Sequence, residues 1–420
     1  VVTKTSDGGI DGTGTEMGDT DGDGIINYRF STTENDITQG PEYLSVYDGL
    51  TGQEVDRIDY IARDPLVQWG LPGMSLTQLA HRADAVMMAV IYANGKTPTL
   101  VMCRGIYHRT KMVALNYKNE KLTELWSFDS KNYPENYDGQ GNHNLSVADV
   151  DQDGRDEIIY GSMTVDHDGT GLYGTGLGHG DAMHVSDIDP NRPGLEKWGI
   201  HEGSGTGSAL LDARTGEILW HSAPGDVGRG VSADLVAKYP GMECWGGTGG
   251  LRTATGEYAG ENPSSSNFLV WWDGDELREL LNSNMITKYG GGTLLNATGC
   301  VSNNGTKSTP ALSADLIGDW REEVMFRTAD NKNLRIYAST DLTTRRLYTL
   351  MHDPQYRLSI AWQMVGYNQP PHPGFFLGHG MADPPPPPIV DAKLKWNNGN
   401  AWDLAATNWT NDDAPAAFQN

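Results

Sequence analysis

Three aspartates at strict alternation, Asp149, Asp151 and Asp153, stand at positions one, three and five of a loop in which Gly154 is sixth and Glu157 ninth. Alternate acidic side chains in such a loop point to one centre, the glycine permits the turn, and the Arg155 carbonyl adds an oxygen at position seven. Hard oxygen donors in this spacing suit calcium; an acidic surface turn would explain neither the alternation nor the glycine. The loop runs straight into EIIYG, a strand, so it is not a helix-flanked EF-hand. The stretch from Asn142 to His184 also holds four histidines, His143, His167, His179 and His184, among many glycines. Imidazoles there are metal ligands, hydrogen-bonded core groups or structural polar residues beside metal loops, and spacing alone leaves these open.

Weaker versions of the acidic segment recur. DTDGDGIIN offers Asp19, Asp21, Asp23 and Asn27, and SDIDPNRPGLEKW offers Asp187, Asp189, Asn191 and Glu196. ADLVAKYPGMECW keeps Asp234 and Glu243, and ADLIGDWREEVMF keeps Asp315, Asp319 and Glu323. Starts at 149, 187, 234 and 315 are 38, 47 and 81 residues apart, the last gap being two periods of roughly 40, a propeller-blade length. The elements that carry these loops read as strands. VYDGLTGQEVDRI and LLDARTGEILWHS each put a Thr-Gly turn between two apolar runs, the pattern of a hairpin. Helical periodicity is scarce, glycine is 52 of 420 residues, and LRIYAST, FLVWW and LSIAWQ are short runs bounded by turn residues. The expected fold is all-β and propeller-like.

A formal charge of -24 excludes nucleic acid as a partner and is partly explained if carboxylates hold cations; an anionic substrate would need a local cationic site. No apolar run approaches the roughly 18 residues of a membrane span, and VMMAVIY at 86–92 reads as a core strand. Cys103, Cys244 and Cys300 lack metal-ligand spacing and are expected to be buried free thiols. The composition fits a soluble secreted protein whose signal peptide lies outside this sequence. A proline-rich linker is expected at 383–390, and 391–420, with tryptophans at 396, 402 and 409, reads as the start of a C-terminal β module too short for its own core.

The ordered strings QGNHNLSVADVDQDGRDEIIYGSM, VDHDGTGLYGTGLGHGDAMH, DVGRG, WWDGDELREL, NNGTKSTP, DWREEV, RLYTLMHDPQYRLSIAWQ and GYNQPPHPGFF resemble the family 11 polysaccharide lyases. These are bacterial rhamnogalacturonan lyases on an eight-bladed, calcium-rich β-propeller. The resemblance covers roughly residues 1–382. It implies cleavage of rhamnogalacturonan I, the pectin backbone, by calcium-assisted β-elimination at galacturonate, in a secreted monomer that binds several calcium ions. The family's domain extends upstream of Val1, so this chain is expected to lack at least one blade and any N-terminal accessory domain.

The resemblance also implies site residues. His143 in NHN with His179 and Asp181 in GHGD would form a metal and carboxylate subsite. Arg229 in DVGRG and Lys307 in NGTK would face the anionic sugar. Either Lys307 is the base, or it neutralises the carboxylate while Arg229 or a hydroxide takes the proton. Asn304, Gly305 and Thr306 would bind sugar hydroxyls and carboxylates, and Tyr367 would stack on a sugar ring or donate a proton. His167 and His184 read as structural polar residues, and Trp271 and Trp272 as core. The alternative function is a non-catalytic calcium propeller for adhesion or carbohydrate binding, which has no reason to keep Arg229, Lys307 and Asn304. A glycoside hydrolase would need two carboxylates flanking the bond, and no pair stands apart from the acidic loops.

Overall fold

The computed structural model describes the chain except residues 29–35, 134–135, 203–204, 368, 385–393, 397–408, 412–413 and 417–420. Among the described residues the structure is all-β, with only two α-helices, α1 (Leu76–Asp84) and α2 (Pro354–Trp362). None of its helices is long and apolar enough to cross a membrane. Residues 1–382 and 383–420 are two separate units.

The first unit holds seven small antiparallel sheets in chain order. The first joins Val2–Ser6, Glu42–Tyr47 and Glu54–Asp59. The next five are four-stranded meanders that begin with Val86–Ile91, Ser146–Ala148, Ala182–Ser186, Gly230–Ala233 and Phe268–Val270. In the seventh, Glu323–Thr328 pairs with Cys300–Val301, Leu312–Ala314 and Leu334–Tyr337. Every residue of SVA, AMHVS, GVSA and FLV, the first strands of the third to sixth sheets, is buried. The last strands of those sheets, Gly171–Gly174, Ile218–His221, Tyr258–Gly260 and Thr293–Asn296, contain no buried residue. Strands covered on both faces must be apolar or small throughout, and that is how the first strands read. First strands of the second to sixth sheets lie beside one another in succession, and α2 packs on Val86–Ile91, Ser146–Ala148 and Leu312–Ala314.

Both expected hairpins form, Glu42–Tyr47 with Glu54–Asp59 and Ser208–Asp212 with Ile218–His221. In each an aspartate locks the turn: Asp48 Oδ1 accepts from the Thr51 amide at 2.8 Å, and Asp212 Oδ1 from the Thr215 amide at 2.9 Å. VMMAVIY contributes the strand Val86–Ile91, the three cysteines are buried and free, and Trp271 and Trp272 are buried. LSIAWQ is a correction: Leu358–Trp362 belongs to α2, not to a strand. Its helix is started by Asp353, whose carboxylate accepts from the Gln355 amide, and by Pro354 at the first helical position. Helix α1 begins with a reciprocal capping box between Ser75 and Gln78.

After α2 the chain follows the buried first strands. Tyr367 N donates to His143 O (2.8 Å), Leu145 N to Gln369 Oε1 (3.1 Å), Ser186 Oγ to Pro373 O (2.8 Å) and His379 N to Asp234 Oδ2 (2.6 Å). In the second unit Leu394–Trp396, Trp409–Asn411 and Ala414–Ala416 form a three-stranded antiparallel sheet. Residues 385–390 of the expected linker, and Trp402, lie outside the described residues.

Candidate functional site

Each first strand carries different chemistry at its two ends. At the entering end sit the crossover loops. His143 precedes Ser146–Ala148, His179 and Asp181 precede Ala182–Ser186, Arg229 precedes Gly230–Ala233, and Lys307 precedes Leu312–Ala314. At the leaving end sit the acidic loops of Asp149, Asp187, Asp234, Asp273 and Asp315. Three to five residues at about 3.3 Å each separate the two sets.

The entering ends converge. His143 and His179 meet edge to face with ring centroids 4.9 Å apart, and His143 Nε2 lies 3.6 Å from Asp181 Oδ1. Burial, reinforced by neighbouring cations, lowers the His143 pKa to about 3, and burial lowers that of His179 to about 4. Both rings are therefore neutral at physiological pH and keep a lone pair for a ligand. His179 Nδ1 is tied to Gly141 O at 2.5 Å, while its buried Nε2 has no partner. An unanswered imidazole nitrogen beside a second imidazole and a carboxylate fits a cation in the group His143, His179 and Asp181. Gly180 makes this turn possible, because a Cβ there would fall 1.6 Å from Ile200 O.

The Tyr367 ring stacks on His143 (4.3 Å, 21°), and Lys307 Nζ lies 4.2 Å above the same ring. Gly366, with φ +79°, lets the chain pass His143 O, where a Cβ would lie 2.0 Å away. Asn304, itself left-handed at φ 61°, donates from Nδ2 to Gly366 O at 3.1 Å, and Gly305–Lys307 form a single 3-10 turn. Arg229 Nη1 donates to Asn267 Oδ1 (2.8 Å) and Thr306 O (2.5 Å), fixing its guanidinium beside that turn. Burial raises the Asp181 carboxyl, and Lys307 and Arg229 pull it back down, so both cations are felt at that group.

Several participants were not legible in the sequence. Tyr107 places its hydroxyl 2.9 Å from His143 Nε2 and its ring 3.9 Å from that of His179, with the Arg82 guanidinium of α1 over the Tyr107 ring, 5.0 Å from its centroid. Glu202 is hydrogen-bonded to Asp181 and is raised to about 6 by burial and by the charges of Asp181 and Asp226. Tyr107 comes from a loop of the second sheet, Arg82 from α1 and Glu202 from a later loop of the fourth sheet, with no local spacing to mark them.

The acidic loops sort themselves. Asp149 and Asp151 group with Glu157, whose buried Oε1 has no hydrogen-bond partner and whose carboxyl burial raises to about 8. A cation would answer that group, and the donor set fits calcium. Asp153 groups instead with Glu157 and His167, so the single expected loop divides around Glu157, with His167 beside it among the carboxylates of Asp153 and Asp166. Asp19 and Asp21 group with Asp7, thirteen residues or so upstream, and Asp23 is not in that group; its Oδ1 accepts from the Ile25 amide. Asp187, Asp189, Asn191 and Glu196 are not brought together as a metal group among the described residues. Asp187 Oδ2 accepts from the Phe376 amide, Glu196 Oε2 from the amides of Ile188 and Asp189, and Arg192 Nε lies 3.5 Å from Glu196 Oε1, so a guanidinium meets the oxygen a metal would need. A further triad, Asp273, Asp275 and Glu279, surrounds Lys288 Nζ at 2.5, 2.7 and 3.3 Å. His184, read as structural, is buried and bonds Gly230 O at 2.8 Å.

Small antiparallel sheets in series thus gather cations and neutral imidazoles at one end. Residues 1–387 match the C-terminal domain of rhamnogalacturonan lyase family 11, and the chain belongs to that family. It is 51% identical over 398 residues to the rhamnogalacturonan endolyase YesW of Bacillus subtilis, covering 92% of this chain and 62% of the relative. It is 48% identical over 423 residues to the rhamnogalacturonan exolyase YesX of the same organism, covering 94% and 67%. The crystal structure of YesW superposes with a TM-score of 0.85 over 92% of this chain and 66% of that one. The Bacillus licheniformis rhamnogalacturonan lyase superposes with 0.84 over 91% and 65%, at 51% identity. The chain thus spans somewhat under two thirds of the endolyase's length.

Proposed function

We propose that this chain carries the catalytic centre of a rhamnogalacturonan lyase, which cleaves the pectin backbone by β-elimination at galacturonate. One observation carries the reading: Arg229 and Lys307, from crossovers of different sheets, converge on the His143, His179 and Asp181 group around Tyr367. In a chain of net charge -24, a fixed cationic pair beside neutral imidazoles suits an anionic sugar.

The reaction must remove the proton at C5, beside the uronate carboxylate, and break the bond from C4 to its oxygen. Arg229 is held by two acceptors, so its guanidinium meets the carboxylate without reorganising as charge grows there. Lys307 is the better base, because a guanidinium does not give up its proton near neutral pH. In its amine form Lys307 takes the C5 proton, and the electron pair forms the C4–C5 double bond as the leaving oxygen departs. The Tyr367 hydroxyl, or water, protonates that oxygen; with His143 against the ring and Lys307 over it, the hydroxyl rather than the ring face serves the substrate. Calcium held by His143, His179 and Asp181 would add positive charge for the uronate carboxylate. Asn304, Gly305 and Thr306 are exposed on the turn beside this centre and suit sugar hydroxyls.

The sheet series and its burial gradient support a propeller-like arrangement, and calcium would sit in the loops of Asp149 and Asp19. The reading includes a secreted monomer acting on pectic polysaccharide, with residues 1–382 as the catalytic unit and 391–420 as an appended β module. Incubation with rhamnogalacturonan I, with and without chelator, tests it by ultraviolet absorbance, because elimination creates a conjugated double bond and hydrolysis does not. Lys307→Ala is expected to abolish the rise while leaving thermal unfolding unchanged; full activity in that variant would overturn the assignment of the base.

A further inference from the structure

A cavity of about 350 Å³ opens in the seam between the fourth and fifth sheets, within the ~300–1,000 Å³ range of ligand sites. One wall is the end of the exposed strand Ile218–His221 and the crossover that follows it. That crossover ends in Arg229, so the cavity lies at the entering end of the first strands, the end that holds the reacting centre, and further out along the sheets. The other wall is the turn at Thr248 and Gly249 with Arg252.

Its charge is unlike that of the chain around it. No carboxylate lines it, whereas Arg252 and His221 do. Arg252 Nε donates to Gly249 O at 3.0 Å, and its guanidinium lies 5.5 Å from the Tyr258 ring centroid; its Nη groups donate to no protein atom among the described residues. His221 is exposed, and its ring bonds only through Nδ1, to Ser222 O at 2.9 Å. Asp226, in the same crossover, turns Oδ1 to the Gly228 amide at 2.8 Å, and its charge is felt at Asp181 and Glu202, on the reacting side. Trp220 forms a fixed apolar wall, with Nε1 on Ala254 O at 2.8 Å and its ring 5.2 Å from that of Trp198. An indole wall, a guanidinium donor, an imidazole Nε2 left as an acceptor and a glycine-rich backbone are what a uronate sugar needs: an apolar contact, a carboxylate partner, a hydroxyl partner and close approach.

We infer that this cavity is a distal subsite for the same polysaccharide, in which Arg252 receives the carboxylate of a galacturonate several sugars away from the bond that is broken and His221 Nε2 accepts from a sugar hydroxyl beside it. The inference rests on the proposed lyase activity and deepens it, since it assigns how a long chain is held beyond the reacting centre.

The test compares Arg252→Gln, Arg252→Lys and His221→Ala with the wild type on polymeric rhamnogalacturonan and on short oligosaccharides that fill only the reacting centre. Arg252→Gln is expected to raise KM for the polymer roughly three- to tenfold, the size of one charge-assisted hydrogen bond, with kcat and oligosaccharide turnover unchanged. Arg252→Lys should recover part of the loss, and the effect should shrink at high salt. Polymer affinity is also measured by affinity electrophoresis in a Lys307→Ala background, which needs no turnover. Polymer bound there and weakened by Arg252→Gln supports the subsite even if the elimination reading fails. Equal effects on polymer and oligosaccharide, or none on either, overturn it.

Discussion

Lys197 offers a stability experiment whose size and sign both follow from the structure. It lies in Glu196–Ile200, paired with Val185 and Leu211, is 1% exposed, and its Nζ has no hydrogen-bond partner. Burial alone lowers its pKa from 10.5 to about 7. The unfolded chain therefore binds this proton more tightly than the fold does. The penalty is fully present below about pH 7 and fades as pH rises toward 10.5, so this residue makes stability increase with pH across that window. At ~1.4 kcal/mol per pH unit, the interval amounts to roughly 4–5 kcal/mol. Lys197→Met keeps the length of the side chain and removes the amine. At neutral pH the variant should be more stable than the wild type by roughly 3–4 kcal/mol after imperfect packing is allowed for. Urea unfolding of both proteins from near pH 6 to near pH 10 gives the difference, in which other titrating groups cancel. A gap that narrows steadily with pH is expected. A gap that is constant with pH, or a variant that is less stable at neutral pH, would mean that Nζ has a partner and refute the reasoning.

Chelation should lower Tm by several degrees because Glu157 Oε1 then faces Asp149 and Asp151 without a counter-charge, and Glu157→Gln should remove most of that response in a calcium titration followed by thermal scanning. Lys288→Met strips the only ammonium from Asp273, Asp275 and Glu279; a loss of roughly 2–3 kcal/mol in chelator, partly restored by added calcium, is expected in urea unfolding. Tyr107→Phe deletes the hydroxyl that meets His143 Nε2, and lyase turnover should fall about five- to tenfold, the size of one neutral hydrogen bond at ~1 kcal/mol, with Tm unchanged. Arg229→Lys should recover little of the activity lost in Arg229→Ala, since one ammonium cannot reach both Asn267 Oδ1 and Thr306 O while facing a carboxylate.

Legibility followed locality. The Asp149, Asp151 and Glu157 group lies within nine residues, so alternation exposed it, and the Thr-Gly hairpins were equally local. Helix α2 was missed because LSIAWQ is as apolar as a strand; the deciding residues, Asp353 and Pro354, stand outside that run. Asp7, Lys288, Tyr107 and Glu202 meet their partners only through the fold. The segments at Asp187 and Asp234 carried the acidic spacing, but their carboxylates hold the amides of Phe376 and His379, 189 and 145 residues away, and no local pattern could report that.

What recurs in these acidic segments is first a lock and only then a metal site. In five successive sheets the strand that follows the acidic segment begins with a buried glutamate, Glu157, Glu196, Glu243, Glu279 and Glu323. In each, Oε2 accepts backbone amides from the loop leaving the first strand: Val150, Ile188 and Asp189, Leu235 and Val236, Trp272, and Leu316 and Ile317, all between 2.8 and 3.1 Å. These amides would otherwise be buried without an acceptor, so the glutamate is required whether or not a cation is near. Locking the loop also aims the second oxygen, with its charge, at the loop's centre, and each sheet meets that charge differently. Arg192 approaches Glu196 and Lys288 approaches Glu279, whereas Oε1 of Glu157 and of Glu243 has no hydrogen-bond partner among the described residues. A repeat selected for backbone satisfaction thus leaves a carboxylate oxygen at the same place in each of these five sheets, from which a metal loop needs only two more aspartates, as at Asp149 and Asp151, and an ion pair needs only one basic residue.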